Sequence, residues 1–335
     1  MHSADRIEWG GELIWAISEV DVREAPWAQA RHALLAAMIR MSGGGRIELD
    51  RVTSMGQGLS RHGFGAHIDV VPDPRGLSGS YIALLPHRET DAEYPARVRG
   101  EARVLEWIWP RIRGLRVPRA LVLFDDVHAP ILVTSFVAGI AVDLRNGRMP
   151  IVPWQIVAEA AAAVHATEPP PAEVLPTRDR RQHRAEVIED LFKELEDLSG
   201  MIGEAYTWMR AHVDRPGPGV LLHGDLLGQN LRPYPFEEME LGVIDWEHAA
   251  VGDPAHDLAI VTRGKRQPFQ HASGRDNLLA AYNACAGVEV TRADLCFFEL
   301  ALHVQWSSGS PHERDASLAA IVRLLRSAAR AGDER

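Results

Sequence analysis

Two short stretches of this chain hold side chains whose types and spacing could do chemistry. In LLHGDLLGQN (221–230), His223, Gly224 and Asp225 follow two leucines, and Asn230 lies five positions beyond the aspartate. The preceding PGPGV reads as a turn and V-L-L as a short buried strand, so a carboxylate is delivered at a strand end with an amide one tight loop away. Such a trio is either a hydrogen-bonded staple for a buried loop or the centre of an active site. In MELGVIDWEHAAVGDPAHDLAIV (239–261), Leu241 to Ile244 reads as a strand with Asp245 at its end. A turn over 233–240 would fold these two strands into a hairpin, with Asp225 and Asp245 side by side and Asn230 between them. Two carboxylates and an amide make a hard-oxygen set that suits Mg²⁺. In phosphoryl transfer one Asp of such a set accepts the proton of the attacking hydroxyl, while the Asn and the other Asp hold magnesium on the nucleotide phosphates. Farther on, Asp253-Pro254 reads as an N-cap followed by proline at the first helical position, so Asp253 and Asp257 are assigned mainly structural roles.

The elements that must position these groups fall into two regions. Residues 26–41 have helical periodicity and stop at the glycines of 43–45. RIELDRVTSM, FGAHIDVVP and GSYIALLP then read as a three-stranded antiparallel meander, ARVRGEARVLEWIW (96–109) as a helix, and RALVLFDD and APILVTSF as two more strands. Beyond about 140 the pattern turns helical: 154–167, then 184–198 with Val187, Ile188, Leu191, Phe192, Leu195 and Leu198 on one face, then two or three helices over 275–330. Residues 1–25 read as a strand pair or an arm packed on the body. The expected organisation is α+β: an N-terminal extension and helix (1–45), a small five-stranded lobe (46–138) and a larger helical lobe (139–335).

Composition narrows the function. The chain has 335 residues, 46% of them hydrophobic and 24% charged, as expected of a soluble globular protein with room for two cores. A net charge of −10 argues against a nucleic-acid partner and favours a cationic small substrate. Two cysteines imply no disulfide framework and suit a reducing cytoplasm. MHSADR does not read as a signal peptide, and the longest apolar run, PILVTSFVAGIAV (130–142), is too short and too polar to span a bilayer. The only lysines are Lys193 and Lys265, so 34 of the 36 basic residues are arginine.

Taken together, HGDLLGQN followed by VIDWEHAAVGDPAHDL resembles the signature of the aminoglycoside phosphotransferase family, small-molecule kinases with a protein-kinase-like two-lobe fold. The similarity covers roughly 47–310. VRGEARVLEWI looks like the small-lobe helix with its glutamate, here Glu101, and PILVTSFVAG looks like the strand entering the nucleotide hinge. The resemblance implies Asp225 as catalytic base, Asn230 and Asp245 as magnesium ligands, and His223 as a brace beneath the loop. It also implies backbone groups of Ser135 and Val137 at the base edge of ATP or GTP. Glu247 would face substrate or cap a turn, and His165 would be a packing residue.

One position departs from the family. Its third strand carries a basic residue that grips the nucleotide phosphates and pairs with the helix glutamate; here that strand is SYIALLP, with Leu84 at the basic position. The replacement would be Arg88 or His87 just past the strand, or the glycine-rich turn GQGLSRHGFG (56–65), whose backbone and Arg61 could lie over phosphate. Arg88 is preferred because a strand end is held more rigidly than a loop tip, and Glu101 could orient it. Three functions follow: a kinase of a small-molecule hydroxyl, with an aminoglycoside or macrolide antibiotic or another small alcohol as acceptor; a nucleotide-binding pseudokinase, motivated by Leu84; and a metal-dependent phosphohydrolase using His223, Asp225, Asp245, His248 and His256. The intact Asp225, Asn230 and Asp245 favour the first.

Overall fold

In the computed structural model the chain is described over residues 14–16, 25–42, 46–57, 61–87, 92–125, 129–144, 152–193, 200–234, 240–262, 269 and 271–333. It divides into two compact units, one comprising Met1–Pro110 with Val117–Val137 and the other Arg111–Arg116 with Ala138–Arg335.

The first unit contains β1 (Ile14–Ala16), α1 (Pro26–Ser42), β2 (Arg46–Leu49), β3 (Thr53–Gln57), β4 (Arg61–Val71), β5 (Gly79–Pro86) and α2 (Tyr94–Ile108). After β6 (Leu115–Arg116), which belongs to the second unit, it closes with β7 (Ala120–Phe124) and β8 (Ile131–Ser135). The strands form one sheet in the order β1-β7-β8-β5-β4-β2, with β3 also on β4. All five expected strands are present, yet the sheet has seven. The stretch 46–55 breaks into β2 and β3, both antiparallel to the long β4, and residues 14–16 add a parallel edge strand on β7. Strand alternation explains the core. Phe64, Ile68 and Val70 of β4 and Tyr81, Ala83 and Leu85 of β5 point to one face, where α1 covers them with Ala33, Leu34, Ala37, Met38 and Met41. Burying each large side chain there contributes about 1.5–3 kcal/mol. The N-terminal helix is therefore part of this unit's core.

The second unit contains β6, α3 (Pro153–His165), α4 (Arg180–Phe192), α5 (Gly200–Ala211), β9 (Val220–Leu222), β10 (Leu231–Tyr234), β11 (Glu240–Val243), β12 (Ala250–Gly252), α6 (Ala255–Thr262), α7 (Gly274–Cys285), α8 (Arg292–Trp306) and α9 (Pro311–Asp333). No helix among the described residues is long and apolar enough to cross a membrane. Helix α4 turns inward a different stripe from the apolar one expected: Arg180, His183, Arg184, Ile188 and Phe192 are buried, Val187 and Leu191 only partly, and Leu195 and Leu198 lie outside the described residues. Charge pairing decides this. Arg184 donates through Nε to Asp253 (2.8 Å) and through Nη2 to Asp294 (2.6 Å), so the arginines go in with their carboxylates. Asp253 also caps α6 as expected, accepting from the Ala255 N–H at 3.0 Å.

The strand pairing around the acidic motifs differs from expectation. β9 pairs with β12, not with the strand before Asp245. The hairpin is β10–β11, with Leu231 opposite Val243. A short 3₁₀ turn, Gly228–Asn230, reverses the chain after Asp225 and starts a new strand directly behind Asn230, which takes the partner position expected of 220–222.

Candidate active site

The catalytic-type loop, 223–230, lies wholly within the second unit and is built by backbone geometry. Gly224 adopts φ 81°, and a Cβ there would come within 2.0 Å of the His248 carbonyl oxygen. Only glycine fits this close approach. Gly228 is similarly confined, since a Cβ would lie 2.1 Å from the Val142 carbonyl oxygen. With both contacts closed, Asp225 stands half-buried at the loop's turn while its neighbours Leu226 and Leu227 are buried.

Asn230 fixes the aspartate. Its Nδ2 donates to the Asp225 carbonyl at 2.8 Å and to Asp225 Oδ2 at 3.0 Å. The amide's nitrogen is thereby committed to the aspartate, and its oxygen is the atom that can serve a metal. The Ile244 N–H donates to the Asn230 carbonyl at 3.0 Å, so the β10–β11 register seats Asp245 one residue from Asn230's partner. Asp245 has φ 71°, a left-handed conformation that non-glycine residues adopt at a cost of order 1–3 kcal/mol and that clusters at functional sites. The chain thus brings together Asp225, Asn230 and Asp245, and this oxygen-rich donor set fits Mg²⁺.

Beneath the loop lies a buried polar column that the sequence only partly reveals. His223 is fully buried. The Asp225 N–H donates to its Nδ1 (3.2 Å), which assigns the proton to Nε2 facing the Ile244 carbonyl (3.0 Å). Burial lowers the pKa of this imidazole, outweighing Asp257, Asp245 and Asp225, so it stays neutral and braces the two acidic motifs as expected. Asp257, also fully buried, accepts from the backbone N–H groups of both His223 and Gly224 at 2.8 Å. His165 Nε2 lies 3.2 Å from Asp257, and its Nδ1 lies 2.7 Å from the Tyr282 hydroxyl. Burial alone would raise the Asp257 pKa, but the hydrogen bond with His165 and the nearby His256 imidazole, 3.8 Å away, hold it well below the usual carboxylate range. His165 is therefore a polar strut rather than simple packing. Asp257 is structural, as expected, but the structure it holds is the Asp225 loop.

The remaining residues divide. The Glu247 side chain is largely buried, with Oε1 3.8 Å from His248 Nε2. Arg232, which nothing in its sequence context marks, is partly buried on β10; burial lowers its pKa while the charge of Asp245 opposes that shift. Among the described residues no three His, Cys, Asp or Glu side chains gather to hold a metal, so the His-rich cluster needed by a phosphohydrolase does not form. Instead His248 is exposed and His256 packs edge-on against the rings of His183 and Phe298.

In the first unit, Ser135 N–H donates to the Arg119 carbonyl and Ser135 Oγ accepts from the Arg119 N–H, both at 2.9 Å. A role at a base edge is thereby narrowed to the Ser135 carbonyl, beside Val137. Leu84 sits on β5 opposite Gly63. Arg61 is not at a loop tip but is the first residue of β4, and its guanidinium pairs with Glu101. Arg88 lies outside the described residues.

A strand-rich first unit, a helical second unit and a loop of this design define a kinase-like phosphotransferase. Residues 73–293 match the family described as "Phosphotransferase enzyme family", and the chain belongs to it. It is 30% identical over 238 residues to an aminoglycoside 3'-phosphotransferase of Streptomyces fradiae, a match spanning 66% of this chain and 83% of that one. Among solved structures, a macrolide 2'-phosphotransferase type I aligns over 88% of this chain and 96% of its own, with a TM-score of 0.52 at 23% identity. The aminoglycoside phosphotransferase APH(4)-Ia aligns over 89% and 99%, with a TM-score of 0.62 at 14% identity. The protein is an enzyme of this phosphotransferase family that phosphorylates a hydroxyl group.

Proposed function

We propose that this enzyme transfers the γ-phosphoryl group of ATP or GTP, with Mg²⁺, to a hydroxyl of a cationic small molecule, an aminoglycoside antibiotic being the favoured class. The observation that carries this reading is the clamp of Asn230 on Asp225, at 2.8 and 3.0 Å, with Asp245 delivered next to it. Asp225 accepts the acceptor's hydroxyl proton as its oxygen bonds to the γ-phosphorus; the bond to the bridging oxygen breaks and the nucleoside diphosphate leaves. Asn230 Oδ1 and the Asp245 carboxylate would hold Mg²⁺, which would neutralise charge on the phosphates. Arg232 offsets the negative charge of Asp245 before metal binds. The Ser135 carbonyl and the Val137 backbone meet the nucleotide base.

The net charge of −10 and the Streptomyces fradiae relative both support a cationic acceptor. Both cysteines are free thiols, which supports a reducing cytoplasm as the site of action. The test is to incubate the enzyme and Mg²⁺ with ATP or GTP and a panel of aminoglycosides, macrolides and simple amino alcohols, reading mass gain by one phosphoryl group. Gain on an aminoglycoside is expected. Gain only on a macrolide or an amino alcohol would overturn the acceptor class, and gain on none with either nucleotide would overturn the reading.

A metal prediction arises from the same geometry. Asp245→Ala removes the charged ligand and should weaken Mg²⁺-dependent nucleotide binding by on the order of 10²-fold or more, while Asn230→Ala, losing a neutral donor, should do less. Titrating Mg–nucleotide into each variant by calorimetry checks the order; an Asp245→Ala protein that binds like wild type would mean a different carboxylate holds the metal.

A further inference from the structure

We infer that Arg61, reaching from β4, is the phosphate-binding cation of the first unit and that Glu101 is its positioning residue, the role having moved to this strand from β5. The inference rests on the kinase reading and deepens it. Among the described residues of the first unit, Arg61 and Glu101 are the only buried charged side chains, 6% and 3% exposed. They pair directly through Arg61 Nη1 and Glu101 Oε2. Packing of this unit does not call for them: its core is the apolar face beneath α1, and a buried ion pair is weak support for stability because desolvation offsets the attraction.

The register gives the pair a direction. Arg61 lies opposite Pro86 and Gly63 opposite Leu84. Alternation therefore puts Arg61 on the same sheet face as Ile82 and Leu84, away from the face that Tyr81, Ala83 and Leu85 turn to α1. Consistently, a Cβ on Gly63 would meet Ile82 Cγ2 at 3.7 Å and Leu84 Cδ2 at 3.8 Å. Strand β5, GSYIALLP, contributes no basic residue to this face. Its neighbour contributes one, two residues along and across, and follows it on the same face with Gly63 and Gly65, which add no side-chain bulk beside the guanidinium.

Arginine suits the displaced position. A guanidinium has five N–H donors in a planar fork, and a carboxylate takes at most two of them. One edge can be fixed by Glu101 while another meets phosphate oxygens. Glu101, anchored on α2 four residues after Arg97 and three after the buried Val98, supplies the rigid end of that arrangement.

The experiment uses the whole chain and reads binding, which needs no acceptor. Calorimetry with Mg–ATP and Mg–GTP is run on wild type, Arg61→Met, Glu101→Gln, their combination, and Arg61→Met/Leu84→Lys, with thermal melts as a check of fold. Arg61→Met should raise the nucleotide Kd more than tenfold, Glu101→Gln should lose less, and the combination should be no worse than Arg61→Met. Adding Leu84→Lys should recover most of the loss, a rescue that a purely structural role would not produce. Wild-type affinity in a folded Arg61→Met protein would overturn the inference. If Arg61→Met alone does not fold, the Arg61→Met/Leu84→Lys protein decides: folded and binding supports the relocation, any other result overturns it. Absence of nucleotide binding by wild type would instead sink the kinase reading itself.

Discussion

Asp225→Asn should leave the protein folded, bind Mg–nucleotide within about threefold of wild type, and turn over more slowly by on the order of 10²–10⁴, the range lost with a positioned general base. The groups that hold this side chain decide the outcome. Its backbone is fixed independently of the carboxylate: the N–H donates to His223 Nδ1 at 3.2 Å, and the carbonyl accepts from Leu227 at 2.7 Å and Asn230 Nδ2 at 2.8 Å. An amide oxygen can replace Oδ2 as the second acceptor for Asn230, now at 3.0 Å, so the loop need not move. What the amide cannot do is accept a proton from the attacking hydroxyl. The loss should therefore appear in kcat with the nucleotide KM nearly unchanged. Steady-state kinetics with the acceptor identified by mass gain make the comparison. Turnover within about threefold of wild type would remove Asp225 from the reaction, given the far larger loss expected of a missing base.

Much of this site is legible from residue type and spacing, and the reason is physical. A hard-oxygen set for phosphate chemistry needs particular side chains, and those cannot be disguised by context; Asp225, Asn230 and Asp245 stand out for that reason. Pairing partners are a different matter. From sequence, β9 reads as the partner of 241–244 because both are short apolar runs, yet a three-residue strand carries little register information. The 3₁₀ turn at Gly228–Asn230 creates β10, LRPY, whose proline weakens any strand pattern. The inward arginines of α4 are likewise hidden: their carboxylate partners, Asp253 and Asp294, lie 69 to 114 residues away in sequence. Arg61 reads as a loop-tip residue because the glycines on either side of it look like a turn, whereas Gly63 and Gly65 are strand residues over which the Met55 side chain packs.

Asp257→Ala should destabilise the protein by about 3–5 kcal/mol, the usual cost of removing one member of a buried charged network. Two backbone donors, the N–H groups of His223 and Gly224, now 2.8 Å from this carboxylate, would be left in a dry interior. His165 would keep the Tyr282 hydroxyl and lose its other partner. In the folded state Asp257 is held below its ordinary pKa. Its contribution is therefore complete above the unfolded value of about 4 and lost only as pH falls through the folded one. Melting near neutral pH then reads the whole effect, a fall in Tm of roughly 6–20 °C on the scale for large domains. Asp257→Asn is the sharper probe, because it keeps the volume but turns an NH₂ group toward one of the two backbone donors. That conflict falls within two residues of Asp225, and displacing a reacting group by about 1 Å can cost on the order of 10² in rate. Asp257→Asn should thus lose turnover out of proportion to its Tm, although residue 257 never meets the substrate. If it melts lower but turns over like wild type, the column beneath the loop supports the fold without setting the position of the base.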